Sequence, residues 1–276
     1  MAVKFDEIGY WSEIKLDIIR DYAAAYSRIM HNQKFIRAYY YIDAFAGAGL
    51  HISKRTHTSV PGSPTIVLGI EPPFSGYYFI DLDGEKVELL RELVAGKPSV
   101  EVYEGDCNPI LLDKLLPTIR YDAYRRALCL LDPYGLHLDW RVIHTAGQSR
   151  SVEIFLNFPV MDMNMNILWS NPERVNADQI VRMDGFWGDG TWRQAAYRRT
   201  EGLFGTIEEK TSNDVVAEAY RQRLKKIAGF QYVPQPIPMR NTRGSIVYYL
   251  FFASPNKTGD KIVKDIFDKY RNRGMP

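Results

Sequence analysis

Cysteine is nearly absent from this chain. Cys107 and Cys129 are the only two in 276 residues and no C-x-x-C pair exists, which argues against a disulfide framework or a cysteine-built zinc site. Both thiols are expected to be reduced and in the core of a cytoplasmic protein. Charge of one sign is absent too. The 35 Lys and Arg against 33 Asp and Glu leave a net charge of +2, so any contact with nucleic acid must come from local patches. No uninterrupted apolar run approaches the ~18 residues of a membrane span, and Met1-Ala-Val-Lys-Phe-Asp-Glu7 lacks the shape of a signal peptide. His31, His57, His137 and His144 show no metal-ligand spacing, so no metal is expected. There is no G-x-x-x-x-G-K-[ST] loop for a nucleoside triphosphate. The dinucleotide fingerprint G-x-G-x-x-G fails at its third glycine, where Ile52 stands.

What is present is a composition of 46% hydrophobic and 25% charged residues, ordinary for one large globular domain. Ser12 to Met30 reads as an N-terminal helix, because Ile14, Ile18, Tyr22 and Tyr26 recur at spacing four with Ile19, Ala23 and Met30 beside them. Apolar runs at Tyr39–Ala46, Tyr77–Leu82, Val100–Tyr103, Ala127–Leu131 and Val152–Phe158 read as strands buried on both faces. Helical intervals such as Gly84–Ala95 separate several of them, which predicts a parallel, doubly wound sheet. The run Gln231–Met239 carries Pro234, Pro236 and Pro238. Prolines at period two remove donors from one edge only, so this run is expected to be an edge strand. Asn241–Gly244 then reads as a turn and Ile246–Ala253 as its antiparallel partner, followed by a helix over Asp260–Tyr270. The fold class expected is α/β and Rossmann-like: a mostly parallel sheet with one antiparallel strand near the C-terminus. The division is a core over 39–160, a helical insertion over 161–229 for substrate recognition, and a terminal strand pair and helix over 230–276.

The most informative stretch is Tyr39-Tyr-Tyr-Ile-Asp-Ala-Phe-Ala-Gly-Ala-Gly49. An apolar strand ends in an acid and a turn with two glycines, which let the backbone approach a ligand. The turn is expected to feed a helix whose amino end favours anionic or polar groups. This D-x-F-x-G-x-G pattern suits S-adenosylmethionine (SAM), with Asp43, Phe45, Gly47 and Gly49 about its methionine end. In an open α/β sheet the ligand lies beyond the carboxyl ends of the strands, and acids stand at each of the next ends. Asp81, with Asp83 second, is placed for the ribose hydroxyls. Asp106 is placed for the adenine amine, with the Cys107 backbone against the ring.

Asp132-Pro133-Tyr134 is read as the chemical centre, being similar to the D-P-P-[YF] motif of enzymes that methylate exocyclic amines of adenine or cytosine. Such an amine is a poor nucleophile until an acid and a carbonyl accept its hydrogens; an aromatic ring then stacks on the base. Here Tyr134 arrives one place early, because Gly135 follows and the second proline is missing. A base within a duplex would have to flip out to reach it. The acid-free loop His51–His57 offers Lys54 and Arg55 to phosphate, and the stretch from Arg240 to Arg273 is also basic. Asn157, at the end of the fifth strand, and Trp192 and Arg193, in the insertion, are the other substrate candidates. Gly62-Ser-Pro64 reads as a helix start with Ser63 as cap and Pro64 first.

Taken together, Trp11–Arg20, Ile42–Gly49, Gly62–Pro64, Leu131–Gly135, Asn157–Pro159 and Tyr248–Ser254 resemble the three-Cys-motif partner protein family over nearly the whole chain. The resemblance implies a class I methyltransferase-like fold and SAM as cofactor. It also implies association with a second protein carrying a three-cysteine motif of radical-SAM type, and it supplies no substrate. The expected function is SAM-dependent methylation of an exocyclic amine in DNA or RNA. The alternatives are a methyltransferase for a small molecule or protein, and a non-catalytic SAM-binding subunit of the three-cysteine partner.

Overall fold

The computed structural model describes residues 5–202, 205–241 and 243–271. The chain opens with β1 (Glu7–Ile8) and the long helix α1 (Tyr10–Asn32). Then come β2 (Ala38–Asp43), β3 (Leu50–Ser53), β4 (Ser59–Pro61), α2 (Ser63–Leu68), β5 (Gly76–Asp81), α3 (Gly84–Leu93) and β6 (Val100–Glu104). A short turn, α4 (Cys107–Pro109), continues as irregular helix to Thr118, before β7 (Arg125–Leu131), α5 (Trp140–Ser149) and β8 (Val152–Phe158). Next are α6 (Val160–Asn166), α7 (Ala177–Trp187), α8 (Trp192–Ala196), β9 (Tyr197–Gly202) and β10 (Gly205–Lys210). The last elements are α9 (Asn213–Lys226), β11 (Ile237–Arg240), β12 (Ile246–Ala253) and α10 (Lys257–Arg271).

Seven strands form one sheet in the order β11-β12-β8-β7-β2-β5-β6. Strands β2, β5, β6, β7 and β8 are parallel; β12 runs antiparallel to β8, and β11 antiparallel to β12. This is a Rossmann-like α/β sheet, mostly parallel with one antiparallel strand near the C-terminus. From β2 the chain builds outward through β5 and β6, then crosses back to β7 and β8. That reversal opens a crevice at the carboxyl ends of β2 and β7. Alternate strand residues feed two cores. Tyr41, Leu128, Leu130 and Phe155 pack with Ile14, Ile18 and Tyr22 of α1 and Phe267 of α10. Ile42, Cys129, Leu131 and Ile154 pack on the other face with Ile143 of α5 and Tyr220 of α9.

Several local expectations need correction. The N-terminal helix runs Tyr10–Asn32 rather than Ser12–Met30. The glycine turn does not feed a helix: the hairpin β3–β4 intervenes and joins β1 in a separate three-stranded sheet. Helix α2 begins only at Ser63, capped by Gly62 rather than by Ser63, with Pro64 second. The proline-rich run is extended chain, with only Ile237–Arg240 in the sheet, where the edge position tolerates Pro238. The insertion is not wholly helical, because β9 and β10 pair as a hairpin. The C-terminal basic stretch is partly neutralised: Lys264, Lys269 and Arg271 pair with Asp260, Asp21 and Asp268, and Arg273 lies outside the described residues. Among the described residues no helix is long and apolar enough to cross a membrane.

Helix α5 packs closely on the chain that follows α9. A Cβ on Gly147 would lie 2.2 Å from the Ala228 carbonyl oxygen. Backbone must therefore move, and Gly147→Ala should cost about 1–3 kcal/mol, read as a lower urea midpoint. An unchanged midpoint would show that α5 shifts freely.

Candidate active site

The crevice opens into a cleft of about 560 Å³, walled by the glycine turn, the ends of β7 and β8, α1 and the segment Asp6–Gly9. The turn explains its own glycines. Gly47 and Gly49 have φ of 64° and 78°, a region side chains rarely adopt. A Cβ on Gly49 would meet Leu93 at 2.7 Å, whereas one on Gly47 would meet nothing closer than His51 at 4.0 Å. Gly49 therefore serves packing, and Gly47 leaves a cradle. Asp81 closes the turn: Oδ2 accepts from the Gly47 amide at 2.7 Å and Oδ1 from the Asp83 amide at 2.9 Å. A carboxylate has about four acceptor positions, so half remain. Phe45 lines the cleft beside Gly47.

Asp43 does not face this space, which corrects its expected role. It is fully buried, accepting from the Phe45 amide at 3.3 Å and from the Ser63 hydroxyl. Burial pushes its carboxyl up to about 7, opposed by the Ser63 hydrogen bond. It braces the turn against α2 and reaches ligand only through neighbours.

Asp132 does face the cleft. One oxygen pairs with the Lys15 ammonium and the other accepts from the Asn157 side-chain amide. Lys15 is almost wholly buried on α1, 5.7 Å over the Tyr248 ring. Burial alone would draw its pKa down, but the Asp132 and Tyr248 charges leave it raised. Asn157 is 5% exposed, and its Oδ1 is buried without a hydrogen-bond partner among the described residues. A buried acceptor left alone is costly, and this one sits at the cleft wall. Pro133 lies beside Asp132, buried. Tyr134 is exposed and donates to Asp6 at 3.1 Å. Lys86 pairs with Asp6 at 2.7 Å and lies 5.5 Å over the Tyr134 ring. Burial, with the charges of Asp6 and Asp132, raises the Tyr134 phenol and keeps it protonated.

The remaining candidates divide. Asp83 caps α3 by accepting from the Glu85 and Lys86 amides. Asp106 caps α4 through the Asn108 amide. Both carboxylates thus have structural work and lie outside the main cleft, as does Cys107, whose buried thiol is pushed up to about 12. Lys54 lines the cleft, while Arg55 is exposed and 3.8 Å from Glu13. Trp192 is a correction: it is 1% exposed and its indole donates to Asp184 at 2.6 Å. It anchors the insertion and offers no surface to substrate. Arg193 stacks on it at 4.7 Å, away from the cleft.

Lys15 and Asp6 were not picked out from sequence, nor was Leu82, which is 76% exposed between Asp81 and Asp83. Lys15 had a signal: it continues the Ile19–Ala23 row of α1 by one turn, so a lone cation stands on an apolar face. Asp6 had none, because its role depends on β1 pairing with β3.

No family model matches the sequence, and no curated protein matches it. Among solved structures, the protein LPL1258 from Legionella pneumophila, described by the DUF519 family model, has a TM-score of 0.51 at 12% identity over 94% of this chain and 93% of that one. At that identity the likeness shows the fold alone. The N-terminal domain of EvdMO1 with SAH bound scores 0.44 at 12% identity, covering 86% and 81%. An S-adenosylmethionine dependent methyltransferase from Mesorhizobium loti scores 0.36 at 10%, covering 83% and 97%. Both scores are too low to carry an argument.

Proposed function

We propose that the chain is a SAM-dependent methyltransferase acting on an exocyclic amine of a nucleic-acid base. The observation that carries this reading is the orphaned Asn157 Oδ1, buried at the cleft wall beside Asp132. Such an amine has two hydrogens to place, and Asn157, Asp132 and the Pro133 carbonyl are acceptors for them.

The open cradle at Gly47 fits the methionine end of SAM. The free acceptor positions of Asp81 fit two ribose hydroxyls, and the bare face of Leu82 fits the adenine ring. Bound SAM supplies an electrophilic methyl group. The protein's share is to make the amine a nucleophile. Accepting its hydrogens localises the nitrogen lone pair, and an Asp132 oxygen is placed to take the proton released. Lys15 holds Asp132 in place through their ion pair. Tyr134 exchanges its bond to Asp6 for a stacking contact with the base. Lys54 and Arg55 meet phosphate, and two such contacts give a salt slope of about −1.4 to −1.8.

Calorimetry with SAM should give roughly micromolar binding, weakened at least about tenfold in Asp81→Ala by loss of charge-assisted bonds. Labelled methyl transfer to total nucleic acid should be nuclease-sensitive and fall at least about 100-fold in Asp132→Ala. Nuclease-resistant label would move the substrate to a small molecule or protein. SAM binding without turnover, except with a radical-SAM-type three-cysteine partner added, would favour the subunit reading.

A further inference from the structure

A second cavity, of about 520 Å³, lies at the opposite end of the sheet. Its floor is the amino ends of β7 and β8, so it stands one strand length, about 20 Å, from the cleft. Arg126, Arg150 and Lys257 line it, and among its described lining residues the sole acid is Glu153. None of the three cations forms an ion pair with a carboxylate among the described residues. Glu153 is itself 4% exposed and occupied, accepting from Tyr22 and Ser254. Two exposed rings, Phe35 and Tyr121, form the rim. The Arg126 guanidinium carbon lies 4.1 Å from the Tyr121 ring centroid, and its Nη1 donates to the Arg125 carbonyl at 2.9 Å. At the floor the Tyr26 hydroxyl is buried, with no hydrogen-bond partner among the described residues.

Cations without a carboxylate partner among the described residues, beside exposed rings, suit a ligand that is flat at one end and anionic at the other. A buried hydroxyl without a partner suits a polar edge that enters deeply. We propose that this cavity binds a nucleotide unit, with its base against Tyr121 and Phe35, its phosphate at Arg150 and Lys257, and a base or sugar polar atom on the Tyr26 hydroxyl. The unit is either a free nucleotide or part of a single strand; the chemistry recognised is the same. The site stands apart from the cleft and does not depend on the function proposed for it.

The test titrates the full chain with adenosine 5′-monophosphate and, separately, with a single-stranded oligodeoxyadenylate of about twelve nucleotides. Arg150→Glu combined with Lys257→Glu should weaken binding at least about tenfold, and Tyr26→Phe about three- to tenfold. Tyr26→Phe should keep the wild-type melting temperature, since its hydroxyl has no bond to lose. Asp132→Ala, at the other end of the sheet, reports any binding in the cleft, and the losses expected of the Arg150, Lys257 and Tyr26 variants should also appear in its background. Variant-sensitive binding of the mononucleotide identifies a free nucleotide as ligand; variant-sensitive binding of the oligonucleotide alone identifies a strand. Binding of neither, or binding unchanged in the Arg150, Lys257 and Tyr26 variants, overturns the proposal. Loss of binding only in Asp132→Ala would place the ligand in the cleft and overturn it too.

Discussion

Lys15→Met should lower methyl transfer at least about 100-fold and destabilise the fold by about 2–4 kcal/mol. Methionine fills most of the volume but leaves the ammonium's partners behind. Asp132 would keep only the Asn157 amide, and the buried Asp43 would lose a nearby opposing charge. Removing one member of a buried pair strands the other, which costs more than the pair was worth. The Asp132 side chain retains 26% exposure, so the loss falls toward the low end for buried pairs. Urea midpoints measure it. The double variant Lys15→Met with Asp132→Asn should regain most of the stability, because no charge is then stranded, yet remain inactive. If the double variant is as unstable as the single one, Lys15 matters for packing rather than charge. If the single variant turns over normally, Asp132 needs no positioning and the amine mechanism fails.

Mild acid should stabilise the wild type. Burial pushes the Glu153 carboxyl from 4.5 up to about 7, against the hydrogen bonds of Tyr22 and Ser254. The sign follows from proton binding. A carboxyl raised on folding binds its proton more tightly in the native state. Its contribution is therefore complete below the unfolded value and is lost as pH rises through about 7. A rise of this size corresponds to about 3 kcal/mol. Glu153→Gln removes the ionisation and should be more stable than wild type by up to this amount near pH 8, with little difference near pH 5. Asp43, also raised to about 7, acts in the same direction, so the variant's pH dependence shrinks without vanishing. Melting curves at the two pH values decide it. A wild type that melts higher near pH 8 would mean that both carboxylates stay ionised through pairing.

The strand content was legible because the central strands are buried on both faces and read as nearly continuous apolar runs. Val152–Phe158 and Ile246–Ala253 coincide with the observed strands. The proline run marked the sheet edge through chemistry that holds in any context, since a missing donor is tolerable only where no neighbour asks for it. The hairpin β3–β4 was hidden. Its residues His51, Lys54 and Arg55 are polar, and its strand β3 pairs through Ile52 and Ser53 with β1, more than forty positions earlier. The acids do stand at successive strand ends, but their division of labour was not legible. Asp83 and Asp106 satisfy helix amides, Asp43 is sealed beneath the turn, Asp81 braces the Gly47 amide, and of these acids Asp132 is the one that lines the cleft.

The sequence by itself determined the order of the strands of the main sheet, the glycine turn and the acids that follow its parallel strands, because these rest on local periodicity and on backbone conformations few residues accept. Only the tertiary structure decided which acids meet the cleft, that Lys15 is the partner of Asp132 across 117 positions, and that Trp192 belongs to the core. It also brought Arg126, Arg150 and Lys257 into one cavity with Tyr26, whose hydroxyl has no hydrogen-bond partner among the described residues. Each of these depends on segments far apart in the chain, and on what burial does to a charge once its neighbours are in place.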